Sequence, residues 1–373
     1  MSGRVVRGVC AVAVMGAVLA PGTAGAVPGP PGGEPSVAGL LTDLQDLYRQ
    51  AEEATEAYNA TEEELKVRRA QAESLAEKLA AARGSLHGSR LAAGRLAREQ
   101  YQGRSDISPY VRLLLARDPQ HALDQGHLVL RAARDRMATV GRLTGDEKKA
   151  DALATKARAA LDEQLRLADA RKKDQDAVRG RLRRVEELLA SLSPERLAEL
   201  SRAEEAGTAV AQRAFMASGA LSSVGRAPSK AGGAALAYAL RQIGKPYVWG
   251  AEGPGSFDCS GLTSQAWAHA GRRIPRTSQQ QWASLPKVAM DRLRPGDLVV
   301  YFRKATHVAL YLGRGQVVQA PRPGSRVKVS PIAANPVLGA VRPDPEAKAM
   351  TGYRPPPLPR GATAGDDTGY DGG

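Results

Sequence analysis

The 373 residues carry 53 Lys and Arg against 39 Asp and Glu, a formal net charge of +14, and only two cysteines. The excess is local. Residues 36–215 hold 31 basic against 29 acidic side chains, whereas residues 233–345 hold 15 against 5. The second segment, of about domain size, suits an anionic partner such as a cell wall or a membrane surface. No aromatic-interleaved basic motif supports nucleic acid, and beyond the N-terminus no stretch is apolar for 18 residues.

Residues 1–26 read as a signal peptide. Arg4 and Arg7 precede the apolar run GVCAVAVMGAVLA, and Ala24–Gly25–Ala26 supplies small residues for cleavage. Cys10 opens that run rather than ending it, which argues against a lipid anchor there. Removal of the segment leaves a secreted, extracellular or wall-associated chain with one cysteine, Cys259, and one cysteine cannot form an internal disulfide.

Residues 36–215 are rich in Ala, Leu, Glu and Arg. From Leu44 a three–four alternation runs through Leu47, Ala51, Ala54, Tyr58, Thr61, Leu65, Arg68, Ala72, Leu75, Leu79, Ala82, Leu86, Ser89, Ala93 and Leu96, apolar except at Thr61, Arg68 and Ser89. A second seam passes through Leu143, Ala150, Ala154, Ala157 and Leu161 and strengthens at Val178, Leu182, Val185, Leu189 and Leu192. Between them Gly103, Pro109 and Pro119 interrupt helix. The pattern predicts a long antiparallel coiled-coil hairpin with one or two short helices at its far end. His87, His121 and His127 lack metal-ligand spacing, and no cofactor motif occurs. Residues 216–232 are small and polar and read as a flexible linker. Residues 346–373, with YRPPPLPRG, are expected to stay disordered.

Residues 233–345 read as a compact α+β domain. A short amphipathic helix stops at Gly244, a Gly- and Pro-rich loop leads to Asp258-Cys259, and SGLTSQAWAHAG continues as a helix. Cys259 thus lies at or near a helix N-terminus, where unpaired N–H groups lower a thiol pKa and can hold an oxyanion. His269, ten residues along the same helix, is about 15 Å away on another face. His307 instead opens HVALYLGRGQVVQA, two strands joined at a turn. With a loop at 313–315, Gln319 pairs opposite Ala309 and becomes a diagonal neighbour of His307. Strand periodicity therefore nominates Cys259, His307 and Gln319 as nucleophile, base and orienter.

The stretches GKPYVWGAEGPGSFDCSGL, IPRTSQQQW, LRPGDLVVYF and HVALYLGRGQVVQAPRPGSRVKV resemble the NlpC/p60 family of bacterial cell-wall cysteine peptidases, over roughly residues 234–332. The hairpin resembles the N-terminal region of secreted actinobacterial members. The resemblance implies a papain-like fold and cleavage of peptidoglycan stem peptides, typically between D-glutamate and diaminopimelate. It also implies that Tyr247 lines the site and that Asp258 and Ser260 help bind the stem peptide. The third polar residue of the family is usually histidine; here it is Gln319, whose amide oxygen can still accept a ring N–H.

Two rival readings remain: a non-catalytic peptidoglycan-binding scaffold, and an amidase or acyltransferase on the same fold. The exposed coil faces suit a membrane or division-complex protein. Alternatively, the hairpin folds back over the cleft and inhibits its own enzyme.

Overall fold

The computed structural model describes residues 36–102, 111, 118–221 and 225–363. The signal peptide read at 1–26 and the last ten residues lie outside them. The short helices expected at the far end of the hairpin fall in 103–117, of which only Val111 is described.

Helix α1 (Val37–Gln102) runs 66 residues, about 100 Å at 1.5 Å per residue. Its antiparallel partner α2 (Pro119–Ala190) starts at Asp118, whose side chain accepts the His121 N–H at 2.7 Å, with Pro119 at the first helical position. Far from the base only two helices meet, so apart from the small Ala82 and Ala150 most seam residues there are half-buried, and Leu161 is exposed. The exposure of Leu161 departs from the predicted seam. Polar pairs add to this stretch: Ser89 donates to Asp146 at 2.5 Å and Thr61 to Asp174 at 2.7 Å. Toward the base the seam is dry, with Val178 and Val185 fully buried beside Ala51, Leu44 and Leu40.

A third long helix was not expected. The chain breaks at Ser191–Ser193 and restarts as α3 (Pro194–Ala217), again with proline at the first position and a serine cap. It packs Leu200 into the base of the hairpin and Phe215 against the sheet. The predicted linker is consequently short, because α4 (Lys230–Leu240) begins under its own cap, Ser229.

The rest of the chain is an α+β unit. Helices α5 (Cys259–His269) and α6 (Ser278–Ser284) precede strands β1 (Lys287–Val288), β2 (Leu298–Tyr301), β3 (His307–Gly313), β4 (Gln316–Gln319), β5 (Lys328–Pro331) and β6 (Val337–Val341). The strands form one antiparallel sheet in the order β1-β6-β2-β3-β4-β5. Both faces are covered, so the central strands are apolar throughout rather than alternating. Helices α4 and α5 bury Leu236, Leu262 and Trp267 on one face. On the other, Val299, Ala309, Tyr311 and Val317 meet Phe215 of α3.

The tail also departs from expectation. Up to residue 363 it is ordered against the domain: Met350 N–H donates to Pro228 C=O, and the buried Ala362 accepts from Val329 N–H at 2.7 Å. Arg294 also donates to Ala347 C=O at 2.8 Å, so backbone bonds and the buried Ala362 hold a segment whose composition otherwise predicts disorder.

Candidate active site

Asp258 caps α5, accepting the Gly261 N–H at 2.6 Å, so Cys259 is the first helical residue. Gly261 is required here. A Cβ on it would lie 2.2 Å from the Ala251 carbonyl oxygen. Across the cleft, β3 and β4 pair Leu310 with Val318 and Tyr311 with Val317, which sets Ala309 opposite Gln319. His307 is then diagonal to Gln319, and its Nε2 lies 2.7 Å from Gln319 Oε1. The turn closes through Arg314 and Gly315, both at positive φ. With Nε2–H donating to the amide oxygen, Nδ1 is left as the proton acceptor.

A guanidinium braces this arrangement. Arg276, just before α6, reaches Asp258 with Nη1 at 3.0 Å and Nη2 at 2.6 Å, Ser260 Oγ at 2.8 Å, and Glu252 at 3.2 Å. Asp258 itself is 0% exposed, and Gly250 N–H adds a further bond at 2.9 Å. The fork geometry matches the carboxylate bidentately. Tyr247 is buried in the same apolar cluster as Cys259.

Helix α1 fills the rest of the cleft. Glu52, Glu56 and Asn59, spaced four and three residues apart, share one helical face. Glu52 Oε1 lies 3.3 Å from His307 Nδ1. Glu56 accepts the Ser278 N–H at 2.6 Å and the Ser260 hydroxyl at 2.8 Å, and its Oε1 is 3.9 Å from Cys259 Sγ. Asn59 donates to Asp258 Oδ2 at 3.1 Å. Around these, Tyr58 packs edge-on against Trp249 with ring centroids 5.0 Å apart, directly above Gly250. Lys304 pairs with Glu53 at 3.1 Å, and Arg322 pairs with Glu204 and lies over the Tyr48 ring. Gln212 of α3 completes the contact, donating to Gly315 C=O and accepting from Ala333 N–H.

Under this cover Cys259 is 2% exposed. Burial, then the charges of Glu56, Asp258 and Glu52, push its thiol well above the ordinary range, against a Val308 N–H bond to the sulfur. The sequence expectation of a lowered thiol pKa is thus overturned in this closed state, because a helix start is a smaller effect than desolvation among carboxylates. Burial also holds Glu56 up, aided by Asp258 and opposed by its bonds to Ser260 and Ser278, to about 7. Burial lowers His307, but the Glu52 carboxylate 3.3 Å from Nδ1 and the bond to Gln319 raise it more, and the imidazole ends above its usual value.

The six residues nominated from sequence lie in this region: His307 is bonded to Gln319, Cys259 takes the N–H of Val308 next to His307, Tyr247 shares the apolar cluster of Cys259, and Asp258 and Ser260 are bonded to Arg276. Those missed are Glu52, Glu56, Asn59, Arg276 and Ser278. Arg276 and Ser278 sit inside the motif IPRTSQQQW, where a buried bidentate arginine leaves no period to read. Among the described residues no group of three or more His, Cys, Asp or Glu side chains could hold a metal ion, and no helix is long and apolar enough to cross a membrane.

The profile of the NlpC/P60 family matches residues 244–339, which contain the Cys259 helix, β3 and β4. Residues 244–339 are an NlpC/P60 domain. A probable endopeptidase of Corynebacterium glutamicum is 44% identical over 117 residues, covering 31% of this chain and 56% of the relative. A probable endopeptidase of Mycobacterium tuberculosis is 39% identical over 119 residues, 31% of each chain. The chain thus spans little more than half of the first relative and under a third of the second. Among solved structures, the NlpC/p60 domain of the peptidoglycan hydrolase SagA is 37% identical, covering 30% of this chain and 97% of that one, with a TM-score of 0.28. RipD of Mycobacterium tuberculosis, described as a non-catalytic NlpC/p60 protein adapted to peptidoglycan binding, is 35% identical over 31% of this chain and 98% of its own, with a TM-score of 0.28. Within the matched residues both the Cys259 thiol and the His307 imidazole are present.

Proposed function

We propose that this NlpC/P60 protein is a secreted peptidoglycan endopeptidase that cleaves stem-peptide amide bonds, between D-glutamate and diaminopimelate, and that α1 holds it inactive. The observation that supports the catalytic half is Cys259 at the start of α5 taking the Val308 N–H beside His307, whose far nitrogen lies 2.7 Å from Gln319 Oε1. With the cleft open, Cys259 Sγ attacks the amide carbonyl and His307 Nδ1 receives the thiol proton. His307 then delivers that proton to the leaving amine, and water hydrolyses the thioester by the same path in reverse. Free N–H groups at the start of α5 face the developing oxyanion. Gln319 keeps Nε2 protonated and the ring in plane. Tyr247 supports the nucleophile from behind, while Ser260 and Asp258 shape the acidic-peptide side of the cleft.

The inhibitory half rests on Glu52 and Glu56. One carboxylate takes the face of His307 that must meet the thiol, and the other takes Ser260 and the Ser278 N–H. A substrate carbonyl and α1 cannot share that space. Docking of the coil to a membrane or division-complex protein is one route to its removal.

The test is mass spectrometry of peptidoglycan treated with three purified full-length proteins: wild type, Glu52→Ala/Glu56→Ala, and that variant with Cys259→Ala. The expected result is new stem-peptide termini, most abundant with the Glu double variant and absent without the thiol. Free lactyl ends would make the protein an amidase. Sedimentation with peptidoglycan without new termini from any protein would make it a binding scaffold. Equal digestion by wild type and the double variant would remove the inhibition.

A further inference from the structure

We infer that the contact between α1 and the cleft is proton-linked, so that the closed form is favoured in acid and the cleft opens as the medium rises toward neutral and mildly alkaline pH. This rests on the self-inhibited reading above and adds what controls it.

The geometry makes the case. Closing the cleft brings Glu56 into a dry pocket that already holds a buried carboxylate. From its own helix Glu52 faces it, from α5 come Asp258 and Cys259, and from the segment before α6 comes Arg276. His307 stands on β3 and Tyr247 on the loop before α5. Glu252 is engaged by Arg276 at 3.2 Å, and Lys304 at the rim by Glu53 at 3.1 Å. Three buried carboxylates therefore share one guanidinium and one imidazole. Arg276 is spent on Asp258 through both terminal nitrogens, and no cation within the pocket bonds to Glu56. A proton is the remaining way to neutralise it.

The hydrogen bonds accept that proton without rearrangement. Ionised, Glu56 Oε1 accepts from Ser260 Oγ at 2.8 Å. Neutral, the same oxygen donates to Ser260 Oγ, and the serine turns its own hydrogen to Asp258 Oδ1, 3.4 Å away. Ser278 N–H continues to donate to Glu56 Oε2 at 2.6 Å in either state. On an undocked helix the carboxylate is solvated and has its ordinary value of 4.5, against about 7 when docked.

A group whose docked pKa is raised binds a proton on docking. Its contribution to closure is therefore fully present below the undocked value and is lost as pH rises through the docked one. For one such proton the closed-to-open ratio falls about seventyfold between pH 5 and pH 8. His307, also raised by docking against Glu52, acts in the same direction.

The experiment reads exposure of the thiol rather than turnover, so the reaction's own pH dependence drops out. Full-length wild type and Glu52→Ala/Glu56→Ala are mixed with a dipyridyl disulfide at pH 5, 6, 7 and 8. Modification of the Cys259 peptide is followed by mass spectrometry, with near-UV circular dichroism checking the fold. The variant-to-wild-type rate ratio is expected to be large at pH 5 and to fall by tens of fold by pH 8. Glu56→Gln, whose amide can accept from Ser278 N–H and donate to Ser260, is expected to stay protected and to lose most of that slope. A wild-type ratio that is flat with pH, or a Glu56→Gln slope equal to the wild type's, overturns the proton linkage while leaving the inhibition standing. A double variant that labels no faster than wild type at any pH overturns the inhibition and this inference together.

Discussion

Replacing Arg276 by methionine tests the account of how the nucleophile is held. The substitution keeps volume and removes the charge. In its absence Asp258, at 0% exposure, retains three neutral donors, from Asn59, Gly250 and Gly261, but loses both charged bonds. Removing one partner of a buried ion pair destabilises by about 3–5 kcal/mol. At about 3 °C per kcal/mol for a unit of this size, the melting temperature should fall by roughly 10–15 °C. Lysine at 276 restores a charge but reaches one carboxylate oxygen instead of two, so about half the loss should return. The assay is calorimetric melting at pH 7 of wild type, Arg276→Met, Arg276→Lys and the pair Asp258→Asn/Arg276→Met. Asparagine can still cap α5, so the pair should melt above the sum of its single losses. An Arg276→Met protein melting within about 3 °C of wild type would show that the guanidinium is a surface accessory, and the brace under Cys259 would have to be sought elsewhere.

Substitutions at three further positions have expected outcomes. In the Glu52→Ala/Glu56→Ala background, Gln319→Ala removes the acceptor 2.7 Å from His307 Nε2 and should lower kcat about tenfold with little change in KM; Gln319→His should keep most activity. Gln319→Glu favours the imidazolium, raises the pH at which His307 loses its proton, and should move the alkaline limb of the kcat–pH profile upward. Gly261→Ala should prevent folding or lower melting severely, because its Cβ meets a backbone carbonyl at 2.2 Å; a soluble protein melting near wild type would contradict the close approach. Lys304→Ala breaks only an exposed pair with Glu53 and should change the Cys259 labelling rate by less than about fivefold, placing the hold of α1 in the buried carboxylates rather than at the rim.

How much of this was legible differs by the kind of order involved. His307 and Gln319 could be brought together from sequence because a strand has period two and the turn at 313–315 sets the register. Cys259 could be placed because a cap, a loop and a helix pattern are all local. The base of the hairpin was readable where Val178, Leu182 and Val185 repeat, less so at Leu161, where only two helices meet. Glu52, Glu56 and Asn59 were invisible for a physical reason: on a coil's polar face, glutamate and asparagine are what solvent alone would select. Only the docking of α1 against a domain some 200 residues away makes them interior. The ordered tail failed similarly, since one buried Ala362 does not alter a proline-rich composition.

The closed cleft also bears on how long the protein lasts. Peroxides and other oxidants attack thiolates that solvent can reach, carrying them to sulfenic and then, irreversibly, to sulfinic and sulfonic acids. With α1 in place Cys259 is buried and its thiol is held well above the ordinary range, and among the described residues there is no second cysteine to rescue it by disulfide formation. If α1 leaves the cleft for activity, as proposed above, the idle protein is the durable one. Opening then exposes an unprotected sulfur, and the working lifetime of each molecule is set by the oxidants around it.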